Sequence, residues 1–309
     1  MNIKLLPIIM GCLVIVAVSN CQKENSLPNK PFVDSSIVSN NDSTLLKLFV
    51  KLDTLHPSSK DTLYKMAFTY DELKRLSTYD FTEYDTATGF LLDKIHVIAQ
   101  YNGRDSLPNK VLFQQEDFPQ DVEIDKVEYL NGKLVKVRHS FVQNMVDSSE
   151  LNIYYSPQGD VEVTIYYALG SEKDTVYHQE VLNNSNVVTD VRTNGQNMLS
   201  FFVGTYKYEN QFDNHLNPFK RISFIFQLTD PYPFDPSEVG NFNFIMAKSK
   251  NNIIGSKFNR TVSNFNDENY FTKSYIYNKN NLPLSARYTK QLSQANQYYA
   301  GKELYYYTK

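Results

Sequence analysis

The sequence predicts a mainly β protein: an antiparallel meander forming a curved sheet or an open or closed barrel, with one or two short helices. Three observations carry this expectation. From Thr62 onward apolar and polar residues alternate with a period of two, as in Tyr64, Met66, Phe68 and Tyr70 against Lys65, Ala67 and Thr69. Such alternation turns one face toward a core and the other toward water. Aromatic residues that suit a pleated surface are abundant, with 23 Tyr and 20 Phe but no Trp. Turn signals also punctuate the runs: Asn102-Gly103, Asn131-Gly132, Pro157-Gln158-Gly159-Asp160, Asn183-Asn184, Asn194-Gly195 and Lys279-Asn280-Asn281. Asn tolerates left-handed backbone geometry next best after Gly, which suits a chain with 11 Gly where average usage would give roughly 22.

The first residues read as an export signal. Lys4 supplies the positive start, and Leu5 to Val18 is an apolar run of about fourteen residues. A membrane-spanning helix needs about twenty. Val18-Ser19-Asn20-Cys21 follows. Residues 1–20 are the predicted signal peptide, residues 21–45 a flexible tether rich in Ser, Asn, Asp and Pro, and residues 46–309 a single antiparallel β domain. Cys12 lies inside the signal, so the mature chain keeps Cys21 alone and no disulfide staples the fold.

Within the domain, Leu45 to Leu52 is compatible with helix spacing or with a first strand. Val127 to Val137, centred on Asn131-Gly132, is the clearest hairpin. Asp230 to Pro236 holds three prolines and is a turn or extended segment, and Asp235-Pro236-Ser237-Glu238 looks like the start of a helix over Pro236 to Ala247. Ser285 to Ala300 reads as a strand then a loop, or as a short helix. A degenerate repeat runs through the chain: an aromatic-x-aromatic unit, a polar turn, then a second strand. Phe68-Thr69-Tyr70-Asp71 with Arg75-Leu76, Tyr206-Lys207-Tyr208-Glu209-Asn210 with Asn217-Pro218-Phe219-Lys220, and Tyr275-Ile276-Tyr277-Asn278 with Asn281-Leu282-Pro283-Leu284 are its copies. Such units pair with their neighbours and build a meander.

Composition narrows function more than it names it. A formal charge of −3 and a pI near 6.0 speak against a basic nucleic-acid stripe, so no nucleic-acid partner is expected. A mean hydropathy of −0.44 with one long apolar run speaks against a multi-span helical membrane protein. No catalytic, metal or cofactor motif stands out. His56, His96, His139, His178 and His215 lack zinc-site spacing, and His96 and His178 are expected on solvated strand faces. His139 and Ser140 are adjacent on a strand, face opposite ways and cannot form a dyad. Asp121 and Glu123 share a strand face, as carboxyl pairs do in glycosidases and in many acidic β proteins without activity. The doubled tyrosines Tyr154, Tyr155, Tyr166 and Tyr167 are candidate ligand-stacking residues, because neighbours on a strand put rings on both faces.

Asp followed by a hydroxyl and a small or apolar residue recurs at Ser43, Thr54, Thr62, Thr86, Ser106 and Thr175. These resemble O-glycosylation signals of exported Bacteroidetes proteins, or serve as turn chemistry. Val18-Ser19-Asn20-Cys21 resembles the lipobox of bacterial lipoproteins, which implies that Cys21 carries acyl chains such as palmitate. Gln22-Lys23-Glu24 resembles the signal sending such lipoproteins to the outer face of the outer membrane. Together with Tyr206-Lys207-Tyr208-Glu209-Asn210, with Asn217-Pro218-Phe219-Lys220 and the later Ser249-Lys250-Asn251-Asn252, and with the terminal Tyr305-Tyr306-Tyr307, the chain resembles a Bacteroidetes lipoprotein family of unknown function with a porin-like fold. Phe68 to Leu76 is more weakly similar to the Tyr-Asp repeats of Rhs-type shell proteins. The resemblance implies a curved antiparallel sheet that can wrap into an open or closed barrel, and it implies no activity. The expected protein is a non-catalytic outer-membrane or surface lipoprotein on an N-terminal lipid anchor, with a binding or scaffolding role toward a glycan or an envelope partner. The alternatives are an acid-residue hydrolase on the concave sheet face and a purely structural envelope role.

Overall fold

Among the described residues the period-two alternation becomes sixteen antiparallel strands joined in sequence order. They are β1 (Leu46–Asp53), β2 (Thr62–Tyr70), β3 (Leu76–Tyr84), β4 (Leu91–Gln100), β5 (Lys110–Gln115), β6 (Val122–Leu130), β7 (Lys133–Phe141) and β8 (Asp147–Tyr155). Then come β9 (Val161–Ala168), β10 (Lys173–Asn183), β11 (Asn186–Asn194), β12 (Thr205–Leu216), β13 (Asn251–Val262), β14 (Phe265–Tyr277), β15 (Pro283–Leu292) and β16 (Gln297–Tyr307). The computed structural model describes residues 44–308 apart from 54–61, 86–87, 143–146, 158–160, 169–172, 195–203, 226–246, 263–264 and 293–296. The predicted signal peptide, Cys21, nearly all of the tether, Pro231 to Pro236 and all but the last residue of the helix predicted over Pro236 to Ala247 lie outside the described residues.

Each strand pairs with the next, and β1 also pairs with β16. The meander therefore closes into a barrel. The backbone of residue 45 completes the seam: Thr308 N donates to Leu45 O at 2.8 Å, and Leu45 N donates to Thr308 Oγ1 at 2.9 Å. Leu45 to Leu52 is thus strand, because both edges of the segment find partners. The described residues of Ser285 to Ala300 are strand: 285–292 lie in β15 and 297–300 in β16, with Tyr288 buried and Arg287 exposed, while 293–296 lie outside the described residues.

The two faces of the wall differ in chemistry. Following the pairing from Tyr305 to Phe49, Met66, Phe81 and Ile95 traces a line of apolar side chains packed in one buried cluster. This is the inner face. The neighbouring line, Ala67 to Asp80, His96 and Gln114, is polar and faces out. Further round, outward Lys126 lies opposite Arg138, which lies opposite Glu150, and Glu209 lies opposite Lys257. Ion pairs run along this outer wall, including Lys136–Glu150 at 2.7 Å and Arg138–Glu128 at 2.9 Å. Thr69–Thr78 and Thr272–Thr289 hydroxyl pairs join it at 2.6 and 2.7 Å. A lipid-spanning barrel has the reverse arrangement, with an apolar outer band, and an Arg or Lys at its midplane costs about 2–4 kcal/mol.

The strands fix two ends. At one end β1 begins and β2 finishes, and there lie the turns Asp71–Arg75, Asn131-Gly132, Asn184-Ser185 and Asn278–Leu282. The connection from β12 to β13 leaves and returns at this same end, here termed the neck end. Asn131 and Gly132 have φ of 53° and 75°, as a two-residue hairpin turn requires, so the predicted Val127 to Val137 hairpin forms. Two of the three repeat copies share a turn geometry, while Tyr206 to Asn210 of the third lies within β12. Asp71 N donates to Arg75 O and Asn278 N to Leu282 O, both at 2.9 Å, while Lys74 and Asn281 take φ of 61° and 60°. In both turns the first side chain caps the last backbone amide.

The described parts of the β12–β13 connection enter the lumen. A short 3-10 turn, Lys220–Ile222, carries Phe219, Ile222 and Ile225 into the same buried cluster as the inner faces of β1 to β8, joined by Ala247. The Phe219 ring meets Phe49 edge-on at 5.3 Å and lies 6.3 Å from Phe68 and 6.2 Å from Tyr305. A barrel of this strand number leaves an aqueous channel unless something fills it. Here inward aromatics and the described part of the insert fill the neck end.

Candidate functional site

Two places on the inner face gather chemistry. The first is the neck. Asn217, at the mouth of the insert, donates from Nδ2 to Ser249 O at 3.0 Å and accepts from Phe219 N at 3.1 Å. Asn251 receives a bond at Oδ1 from Asn186 Nδ2 at 3.0 Å, returns one from its own N to Asn186 Oδ1 at 2.8 Å, and donates to His215 O at 2.9 Å. Asn210 bridges Val187 O and Ser256 Oγ, at 2.9 and 2.8 Å. Lys248 pairs with the buried Glu180. Asn217, Phe219, Ser249 and Asn251 among them are residues of the Asn217-Pro218-Phe219-Lys220 and Ser249-Lys250-Asn251-Asn252 motifs. Their spacing reflects a clamp that closes both stems of the insert. Buried amides suit this place because each can donate and accept, leaving few backbone groups unpaired where the sheet is interrupted.

A small cleft opens beside the clamp, lined by Asn217, Phe219, Asn252, Ile253, Lys273, Tyr275 and Tyr305. Behind it Lys273 Nζ meets Glu303 Oε1 at 2.8 Å, with both side chains only 3% exposed. Tyr305 OH donates to the other oxygen, Glu303 Oε2, at 2.5 Å. Burial and the Glu303 charge hold the Tyr275 and Tyr305 hydroxyls protonated well above the usual phenol range. Lys51, opposite Glu303 on β1, lies under the Tyr288 ring at 4.7 Å and the Tyr64 ring at 5.5 Å. The cations and carboxylate are thus already engaged by protein groups, and the cleft offers a ligand mostly ring edges and amides.

The second place is toward the far end. His139 Nδ1 contacts the buried Asp125 Oδ1 at 2.7 Å, and its Nε2 lies 3.8 Å from Glu123 Oε2. Phe141 stands edge-on to the imidazole at 5.2 Å. The bond to Asp125 raises the His139 pKa above its ordinary value. Burial pushes Asp125 and Glu123 upward, against the pull of His139. This trio can hold and exchange a proton. Among the described residues no group of three His, Cys, Asp or Glu side chains forms a metal-binding cluster. Asp121 and Glu123 do not share a strand face as expected: Asp121 lies in the turn before β6, and Glu123 joins Asp125 and His139. Ser140 points away, toward Ile124 O. His96 sits on the outer wall, bonded to Asp80 at 2.6 Å.

The other predicted residues scatter. Tyr154 is exposed on the outer wall, 54% accessible, whereas Tyr155 turns inward and donates to Leu134 O at 2.8 Å. Register pairs Tyr166 with Leu151 and Tyr167 with Glu150, while Tyr154 pairs with Val163. Tyr154 and Tyr155 thus face opposite ways, and the four tyrosines form no single platform. Ser106 is exposed in the β4–β5 connection, Thr62 is half-buried at the start of β2, and Thr175 lies on β10 opposite Ile165. Ser43, Thr54 and Thr86 lie outside the described residues.

The architecture has a solved counterpart. A porin-like protein from Bacteroides uniformis superposes with a TM-score of 0.52 at 12% identity, over 85% of this chain and 96% of that one. A porin-like protein from Bacteroides vulgatus gives a TM-score of 0.41 at 9% identity, over 86% and 99%. The first shows that the chain shares the porin-like fold. No protein-family model matches the chain, and no curated protein does.

Proposed function

We propose that this is a non-catalytic surface or envelope lipoprotein, held to the outer membrane through acyl chains on Cys21, whose barrel acts as a binding or scaffolding body for a glycan or an envelope protein. The observation that carries the reading is the inverted barrel: charged and hydroxyl side chains face out, and the chain's own insert fills the lumen at the neck end. A body built this way presents its wall to water and partners. The lipobox-like Val18-Ser19-Asn20-Cys21 supports the anchor. Intact mass of the protein purified from membranes tests it: an acylated N-terminal Cys21 is expected, with Cys21→Ala releasing the protein. An unmodified cysteine, or tight membrane association of Cys21→Ala, refutes the anchor. A glycan array with the acyl-free protein tests the partner; hydrolysis of any arrayed sugar would instead favour the hydrolase reading, for which the Glu123, Asp125 and His139 trio is the structural basis.

A further inference from the structure

The neck end carries a collar that the fold does not use. Leu130, Leu182, Leu216, Ile276, Leu284 and Tyr306 project outward near the ends of their strands, from 38% to 65% exposed. They are spread from β6 round to β16, so the collar runs along most of the rim. Ile276, Leu284 and Tyr306 sit on three adjacent strands and form its most continuous part. Between these residues the neck-end loops display exposed Lys74, Arg104, Lys133, Lys220, Arg221 and Lys279 against exposed Glu72 and Asp105.

The far end also shows apolar side chains, among them Phe90, Leu92, Phe118 and Tyr298. Among the described residues its exposed charges are mainly acidic: Glu83, Asp117 and Asp121, with Glu116 paired to Lys94 at 3.0 Å. An anionic surface attracts the first rim and repels the second.

We infer that the neck-end collar is an interfacial seat for an anionic lipid surface, with its apolar side chains dipping into the headgroup layer and its basic loops meeting the phosphates. The occupant follows from two independent features. Charge complementarity selects the neck end over the far end. The chain also enters the barrel there, at Thr44 and Leu45, so a lipid on Cys21 is tethered to that rim. The inference rests on the anchor reading for its geometry. Attraction of Lys and Arg to an anionic surface, about fivefold in partitioning for each, adds to the burial of apolar side chains, as for other interfacial anchors.

The chain lacks Trp, so a single introduced indole reports on its own position. The experiment uses the full mature chain carrying Cys21→Ala, with Ile276→Trp at the neck end or Tyr298→Trp at the far end, mixed with vesicles of phosphatidylcholine alone or with 30% phosphatidylglycerol. A blue shift of Ile276→Trp emission with the anionic vesicles, reversed by 0.5 M salt, and none for Tyr298→Trp, is expected. Lys133→Glu with Lys279→Glu should weaken partitioning at least tenfold. No shift at either position, a shift at Tyr298→Trp alone, or partitioning unmoved by the charge reversals overturns the seat. Because acyl chains are absent throughout, this outcome is separate from the mass measurement on Cys21: either can fail while the other stands.

Discussion

Asn217 Nδ2 donates to the carbonyl of Ser249 at 3.0 Å, so one amide holds together two points of the chain separated by the entire insert. Both residues are buried. Asn217→Ala removes this bond and leaves the Ser249 carbonyl and Phe219 amide short of partners in a place water reaches poorly. A loss of about 2–3 kcal/mol is expected in urea unfolding. Loss below about 0.5 kcal/mol would mean the clamp is dispensable.

The insert should matter through Phe219 as much as through its stems. Its ring fills space between Phe49, Phe68 and Tyr305. Phe219→Ala should destabilise by about 3–5 kcal/mol and open dye-accessible apolar surface in the lumen. Unchanged dye binding together with unchanged melting would show that the barrel core stands without it.

Lys273 and Glu303 give a test with an internal control. Removing one partner strands a charge in the interior, at a cost of about 3–5 kcal/mol, whereas replacing both by apolar residues of similar size is often neutral. Lys273→Met and Glu303→Gln should each unfold at clearly lower denaturant than the double variant Lys273→Met with Glu303→Leu. Additive losses would place the pair in a more solvated setting.

Gly301 faces Tyr288 across β15 and β16 on the inner wall. A Cβ there would lie 2.2 Å from the Tyr288 ring and 2.4 Å from the Leu52 carbonyl oxygen. Gly301→Ala must therefore move backbone as well as a side chain, and a loss of about 2 kcal/mol or more is expected. Combining it with Tyr288→Leu should recover only the part due to the ring.

His139 sets the pH dependence of the far-end trio. Its folded pKa is raised, so its contribution to stability is fully present below the unfolded value near 6.5 and is lost as pH rises through the folded pKa. Asp125, also raised, acts in the same direction at lower pH. The His139 ring should titrate above 6.5 by NMR, and Asp125→Asn should bring it down. A titration unmoved by that substitution would remove Asp125 as the cause.

Local pattern made the meander legible, since alternation and Asn turns act within a few residues. The Leu45 to Leu52 ambiguity had a different origin: the partner that decides for strand is β16, at the other end of the chain. The far-end trio was hidden by a single bulge. The two-residue turn pairs Leu130 with Lys133, and continuing that register would set Asp125 opposite Arg138. An irregularity between Glu128 and Tyr129 shifts the pairing by one, which brings His139 rather than Arg138 to the inner face beside Asp125. The neck motifs were visible as words with a spacing, but their role needed the insert's path.

Tyrosines at the neck end have a consequence for assembly. Tyr70 OH donates to Leu46 O, Tyr101 to Leu76 O, Tyr155 to Leu134 O, Tyr275 to Ile253 O and Tyr307 to Pro283 O, at 2.8 to 3.0 Å. Each bond joins the open ends of a hairpin whose covalent link is at the far end. Every such hairpin is thereby a clasped ring of chain, complete in contacts only some two dozen residues apart. Rings of this kind can form early and independently, because short-range closure carries little entropic penalty. The pairing farthest outside that economy is β1 with β16, which must meet across the length of the domain. The seam is therefore the step that turns a row of finished pieces into a barrel, and the natural place for a slow final phase in refolding.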